Sequence, residues 1–155
     1  EMIIQKNVEL GVHAIVPVSM KRCVVKLDEK KAQAKQKRWQ QISESAAKQA
    51  KRGIVPQILP VMSFTQALDY AKDFEQKLLP YECAEGIEGT RRILSGIQPG
   101  QKVAVFIGPE GGFDEKEVEA AKDAGFQVLT LGRRILRTET AGMMLLSVLG
   151  YLLEE

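Results

Sequence analysis

The sequence predicts an α/β protein built on an open, largely parallel sheet flanked by helices. Three observations carry that expectation. Strand-like apolar runs alternate with segments of helix formers, capping residues and glycines mark the junctions, and residues 101–108, QKVAVFIG, are apolar almost throughout. Alternation of this kind is the pattern of βα units, and a continuous apolar run suits a strand covered on both faces.

Taken in order, residues 2–10 form a helix candidate with Gly11 as its C-cap, and residues 13–18, HAIVPV, have strand character. From Glu29 to Arg52 the chain is mostly Ala, Lys, Gln and Glu, which predicts a long helix with Gly53 just past its end. Pro56 and Pro60 make residues 54–61 extended, and Ser63 with Gln66 offers a capping box for a helix through about Phe74. Residues 77–83, KLLPYEC, are a strand candidate, 91–96, RRILSG, a brief helical turn, and 101–108 a buried strand. Asp114 and Glu117 form a second capping box, opening a helix whose Ala120, Ala121 and Ala124 allow close packing and which Gly125 ends. Residues 126–132, FQVLTLG, read as a strand. The last helix, from about Thr140 to Leu153, is apolar on nearly every side, so it is expected to be buried, within the chain or against another subunit.

With 155 residues, 45% hydrophobic and 27% charged, the chain is expected to form one domain over residues 1–155, without repeats or linkers. No run approaches the roughly 20 apolar residues of a membrane span, and EMIIQKNVEL does not read as a secretory signal, so a soluble, intracellular protein is expected. Cys23 and Cys83 lack CxxC spacing and His13 is the one histidine, which argues for reduced thiols and no metal site.

The net charge of +2 hides an asymmetry. Between Lys21 and Arg52 stand eleven Lys/Arg and three acids, so this stretch carries +8 and the remainder −6. Basic density of this kind suits a polyanion such as nucleic acid, and it is equally compatible with a solvated helix face.

Two segments carry candidate chemistry. Gly108-Pro109-Glu110-Gly111-Gly112-Phe113 lies between a buried strand and a capped helix, where open α/β sheets bind ligands. Its spacing matches neither GxGxxG nor a phosphate loop, and Glu110 would repel a phosphate, so a nucleoside without a triphosphate is the better ligand; a simple tight connection is the alternative. The second segment, Leu131 to Ala141, places Arg133, Arg134 and Arg137 around Ile135 and Leu136. Apolar side chains there would sandwich a flat ring while a guanidinium reaches a base or phosphate, whereas Thr138, Glu139 and Thr140 are also ordinary capping residues.

IGPEGGF followed by LGRRILRTETA resembles the RsmE-type methyltransferases, which methylate N3 of a uridine in 16S ribosomal RNA. The likeness extends upstream: Gln5-Lys6 with Glu9 to Val12, Ile15 to Arg22, Arg38-Trp39, and Ala47, Gln49, Arg52 and Pro56 are similar to further elements of that family. The resemblance implies a SPOUT-type α/β fold with helices on both faces of the sheet, a C-terminal trefoil knot and a homodimer, all in the cytoplasm. It implies S-adenosylmethionine as cofactor, 16S ribosomal RNA or the small ribosomal subunit as partner, and neither membrane nor metal. It implies too that the family's N-terminal RNA-binding barrel is absent from this chain.

By motif, the cofactor-binding residues are expected to be Leu79 and Tyr81 on one loop, Ile107, Gly108, Glu110, Gly111 and Gly112 on a second, and Leu131, Gly132, Ile135, Leu136, Thr140 and Ala141 on a third. Arg137 is the first choice to stabilise the uridine anion, and Glu139 the weaker choice for the base. Arg22, Arg38 and Arg52, with Lys6, are assigned to RNA phosphates. Ribose 2′-O or guanine N1 methylation, and a non-catalytic RNA-binding module, remain alternatives. A phosphate-binding nucleotidase is disfavoured by Glu110 and by the lack of clustered metal carboxylates.

Overall fold

The computed structural model of the chain describes residues 1–23, 28–82 and 86–153; Lys26 of the basic stretch and Cys83 lie outside them. In chain order the elements are α1 (Met2–Glu9), β1 (Ala14–Ile15), β2 (Val18–Ser19), α2 (Glu29–Gln49), β3 (Gln57–Ile58), β4 (Met62–Ser63) and α3 (Phe64–Tyr70). They continue with β5 (Gln76–Pro80), α4 (Ile87–Ser95), β6 (Val103–Val105), α5 (Glu115–Asp123), β7 (Gln127–Leu129) and α6 (Thr138–Leu153).

The C-terminal half is organised by β5, which lies between β6 and β7 and pairs with both in parallel. Successive residues of a strand face opposite sides of its sheet, and β5 fills both sides with leucine. Leu78 joins Leu94, Ile97, Leu129, Leu145 and Leu149, a cluster beneath α4 and α6. Its neighbour Leu79 joins Ala71, Ala104, Phe113, Val118, Ala121 and Phe126, beneath α3 and α5. Both leucines are fully buried, so this sheet carries helices on both faces, as expected.

The N-terminal strands do not join it in one open sheet. Instead β1 pairs with β3 and β2 with β4, each for two residues, and the register slips by one between them, from Ala14 opposite Gln57 to Val18 opposite Met62. Pro17 and Pro60 lie in the interval and have no N–H to give, so the ladder breaks there and accommodates an extra residue on the second strand. Helix α2 replaces the missing ladder with side chains. Gln40 accepts from the Ile58 N–H at 2.8 Å and donates to the Pro56 carbonyl, which also receives the Ser43 hydroxyl at 2.7 Å, and Gln36 donates to the Ile58 carbonyl. This docking, with Ile4, Val8, Ala46, Ala47 and Ile58 packed around it, explains how a helix so polar is seated at all.

Three helices end in the same way. In α1, α2 and α5 the residue after the C-cap takes a positive φ, and it and its successor donate back to the last turn, which satisfies carbonyls the helix leaves open. Gly11 and Gly125 do this at α1 and α5 as their positions suggested. At α2, however, the left-handed residue is Lys51 (φ 55), two before the Gly53 that marks the end in the sequence. Helix α4 is longer than a turn, since burial of Thr90 and Leu94 against the sheet outweighs the poor propensity of Gly89. Helix α6 begins at Thr138 rather than Thr140. Among the described residues no helix is long and apolar enough to cross a membrane.

A side chain with a Cβ is disfavoured at a left-handed position by about 1–2 kcal/mol, partly offset by the chain entropy glycine loses on folding. Lys51→Gly is therefore expected to raise stability by about 0.5–1 kcal/mol in chemical denaturation. Unchanged or lower stability would mean that the lysine side chain contributes there.

Candidate functional site

Parallel pairing brings the carboxyl ends of β5, β6 and β7 to one edge, and the chain leaves that edge three times. The three exits enclose a cavity of about 360 Å³ lined by residues from 80–82, 107–113 and 130–141, a size ordinary for a small-molecule site.

The second exit is shaped by its glycines. A Cβ at Gly108 would stand 3.1 Å from the ring of Phe113, itself buried in the core, so only glycine lets the segment fold back on its anchor. Gly112 has φ 70 and donates to the Pro109 carbonyl at 2.8 Å, closing a tight turn. Asp114 then caps α5 through a complete capping box with Glu117. Lys21 and Arg22 lie against this corner. The Lys21 ammonium is 3.0 Å from the Asp114 carboxylate, and its hydrogen bond, with that of the Lys116 N–H, holds the Asp114 carboxyl below its ordinary value of 3.8.

The third exit is fixed from behind by two buried threonines. Thr90 of α4 donates to the Thr130 carbonyl at 2.8 Å and accepts its N–H, while the Thr130 hydroxyl bonds both the carbonyl and the N–H of Gly132. At the far end, the Thr138 hydroxyl donates to the Gly108 carbonyl at 3.1 Å. This bond spans 30 residues and stitches the second exit to the third.

Of the residues expected to hold a cofactor, Tyr81, Ile107, Gly108, Glu110, Gly111, Gly112, Leu131, Gly132, Ile135, Leu136 and Ala141 line the cavity, together with Arg137 and Glu139. Leu79 does not, because strand alternation turns it into the core, and Thr140 is exposed on α6 outside the lining. Thr90 and Thr130, which shape the third exit, were not singled out in the sequence; for Thr90 the available sign is a polar residue on the apolar face of α4.

Arg133, Arg134 and Arg137 line the cavity together with Glu82, Glu110 and Glu139, so its charge is balanced. Among the described residues no ion pair holds any of the three arginines. Such a lining suits a ligand that carries both signs or none, and it is unsuited to a polyphosphate. No three His, Cys, Asp or Glu side chains among the described residues are grouped as for a metal ion.

The cations assigned to RNA all have partners within the chain. Lys6 pairs with Glu9 at 3.0 Å and Arg38 with Glu1. Arg52 donates to the carbonyls of Val8 and Val12 at 2.9 and 2.8 Å and lies near that of Gly11, so its charge caps the end of α1. Arg22 donates to the carbonyls of Gly111 and Phe113.

Fold and site together define a parallel α/β protein with a nucleoside-sized cavity at the carboxyl edge of its sheet. The model of the RNA methyltransferase domain matches residues 1–150, and the chain belongs to that family. It is 43% identical over 154 residues to the ribosomal RNA small subunit methyltransferase E of Bacillus subtilis, covering 97% of this chain and 60% of that protein. The Mesomycoplasma hyopneumoniae protein of the same name is 41% identical, with 95% and 62% covered. A solved ribosomal RNA small subunit methyltransferase E from Neisseria gonorrhoeae, bound to S-adenosyl methionine, superposes with a TM-score of 0.83 at 41% identity, covering 97% of this chain and 60% of that one. The chain thus spans about 60% of the length of the relatives it matches.

Thr138→Val keeps the shape of the side chain and removes the stitch. It is expected to cost about 1 kcal/mol and to speed amide exchange across residues 107–113, read by denaturation and hydrogen exchange. Unchanged exchange would show that the bond does not restrain the loop. Asp114 supplies a second prediction. A carboxyl held below its ordinary value contributes stability above 3.8 that is lost as the pH falls through the lowered value, so Asp114→Asn is expected to make the acid-side fall in stability shallower below about pH 4.

Proposed function

We propose that the chain is the catalytic part of an S-adenosylmethionine-dependent methyltransferase that acts on N3 of a uridine in 16S ribosomal RNA. The observation that carries the reading is the charge-balanced, glycine-lined cavity where three strand exits meet, with guanidinium groups at its rim. The Neisseria gonorrhoeae relative, bound to S-adenosyl methionine, supports it. In this reading residues 1–155 form a single SPOUT-type domain, the C-terminal part of the chain is threaded as a trefoil knot, and the protein works as a cytoplasmic homodimer on the small ribosomal subunit.

The residues present fit the donor. S-adenosylmethionine is zwitterionic with a further positive sulfur, and a cavity with three arginines and three glutamates offers a partner to each charge. Tyr81, the glycine turn at 108–112 and the segment 131–136 would hold it, with Ala141 closing one side; Leu79 and Thr140 would act from behind, through the core and the helix. When bound, the donor supplies an electrophilic methyl group.

The chain's own task is to prepare the nucleophile. N3 of uridine carries a proton and attacks poorly until it leaves, so negative charge must be stabilised on the uracil carbonyl oxygens. Arg137, which lines the cavity without an ion-pair partner among the described residues, would do that, and a guanidinium stays charged throughout. Glu139, in the first turn of α6, is the second-choice acceptor of the proton. Ile135, 83% exposed, is an apolar cover for a flat base. RNA phosphates are met by Lys6 and Arg38, whose present partners are exposed carboxylates that a phosphate replaces at little cost, and by the lysines of α2. Arg22 and Arg52, by contrast, are held to backbone carbonyls.

Arg137→Ala is expected to cut turnover by on the order of a hundredfold while donor affinity stays within about twofold. The measurement is mass spectrometry of ribosomal RNA nucleosides after incubation with labelled donor, with calorimetry for binding. N3-methyluridine is the expected product. A methylated ribose or guanine would overturn the assigned base, and no donor binding at all would leave an RNA-binding module.

A further inference from the structure

We infer that Arg22 is a positioning residue for the glycine turn and sets affinity for the methyl donor; this rests on the reading of the cavity as the donor site. Its guanidinium donates to the Gly111 and Phe113 carbonyls, both at 3.2 Å, and lies 3.8 Å from the Asp114 carboxylate. The other half of each of those peptide units is also held. The N–H that follows the Gly111 carbonyl belongs to Gly112 and donates to Pro109 at 2.8 Å. The N–H that follows the Phe113 carbonyl belongs to Asp114 and donates to the Glu117 carboxylate at 2.8 Å. Two peptide planes around Gly112 and Phe113 are therefore clamped at both ends, and Arg22 is the clamp on the carbonyl side.

Further contacts fix Arg22 itself. The Lys21 N–H donates to the Glu117 carboxylate at 3.1 Å, so the turn carrying Arg22 is bonded to the capping box of α5. Gly111 lies so close that a Cβ there would stand 3.1 Å from the Arg22 Cβ and 3.2 Å from its carbonyl. Adjacent glycines are the most mobile residues a binding loop can have, and a ligand must freeze them at an entropic cost. Arg22 removes that freedom beforehand, from outside the cavity, since it is not among the lining residues.

The test is calorimetric titration of S-adenosylmethionine into the wild-type chain, Arg22→Ala, Arg22→Lys and Gly111→Ala without RNA, followed by steady-state kinetics. Arg22→Ala is expected to bind the donor about tenfold more weakly. Its donor KM should rise with it, while kcat at saturating donor and the KM for RNA stay within about twofold. Arg22→Lys, with one ammonium able to reach one carbonyl, is expected to recover part of the loss. Gly111→Ala presses on the same contact without changing charge and should weaken donor binding if Arg22→Ala fails to fold. Wild-type donor affinity in Arg22→Ala with a raised KM for RNA would overturn the inference and make Arg22 a phosphate contact. Absence of binding in the wild-type chain would instead remove the functional reading on which it stands.

Discussion

Parallel pairing of β5 with both its neighbours is the constraint on which the rest depends. Three strands that run the same way must release the chain three times at the same edge, and each release must be followed by a segment that returns across a face of the sheet. Returning segments give the two apolar clusters, one per face, which Leu78 and Leu79 enter from adjacent positions. The releases give the cavity. Stability and binding are thus two outcomes of one arrangement of hydrogen bonds, and the site occupies the edge that packing cannot fill.

What gives that edge a defined shape is a small set of polar groups directed at backbone rather than at ligand. Thr90 sets Thr130, Thr130 sets Gly132, and Thr138 ties α6 to Gly108. None needs a charge, so the charged residues at the rim remain available. The same division appears in the N-terminal half, where Gln36, Gln40 and Ser43 dock a basic helix against β3 and leave its lysines facing outward.

Much of this was legible in the sequence where the governing interaction is local. Both capping boxes, at Ser63 and Asp114, are fixed by residues three apart and formed as expected. The glycine turn was equally readable, because a strand followed by three glycines and a cap has few ways to fold. Legibility ended where a distant partner decides. Arg52 reads as one more cation in a basic stretch, yet it caps α1 from 40 to 44 residues away. Leu79 reads as part of a loop-bearing strand end, and alternation turns it into the core. Gly53 reads as a helix terminator, but Lys51 takes the left-handed turn because the Schellman-type bonds close two residues earlier. The division of the strands into separate ladders turns on Pro17 and Pro60 falling in the same interval, which only the pairing of distant strands brings about.

Helices α1 and α6 cross where Gly142 faces Asn7, and a Cβ at 142 would come within 3.3 Å of the Asn7 side-chain oxygen. Position 142 lies one residue beyond Ala141 in the cavity wall, so the separation of these helices also sets the depth of that wall. Residues 7 and 142 are consequently a single choice as the sequence drifts. Bulk gained at one must be surrendered at the other, or the two helices must part.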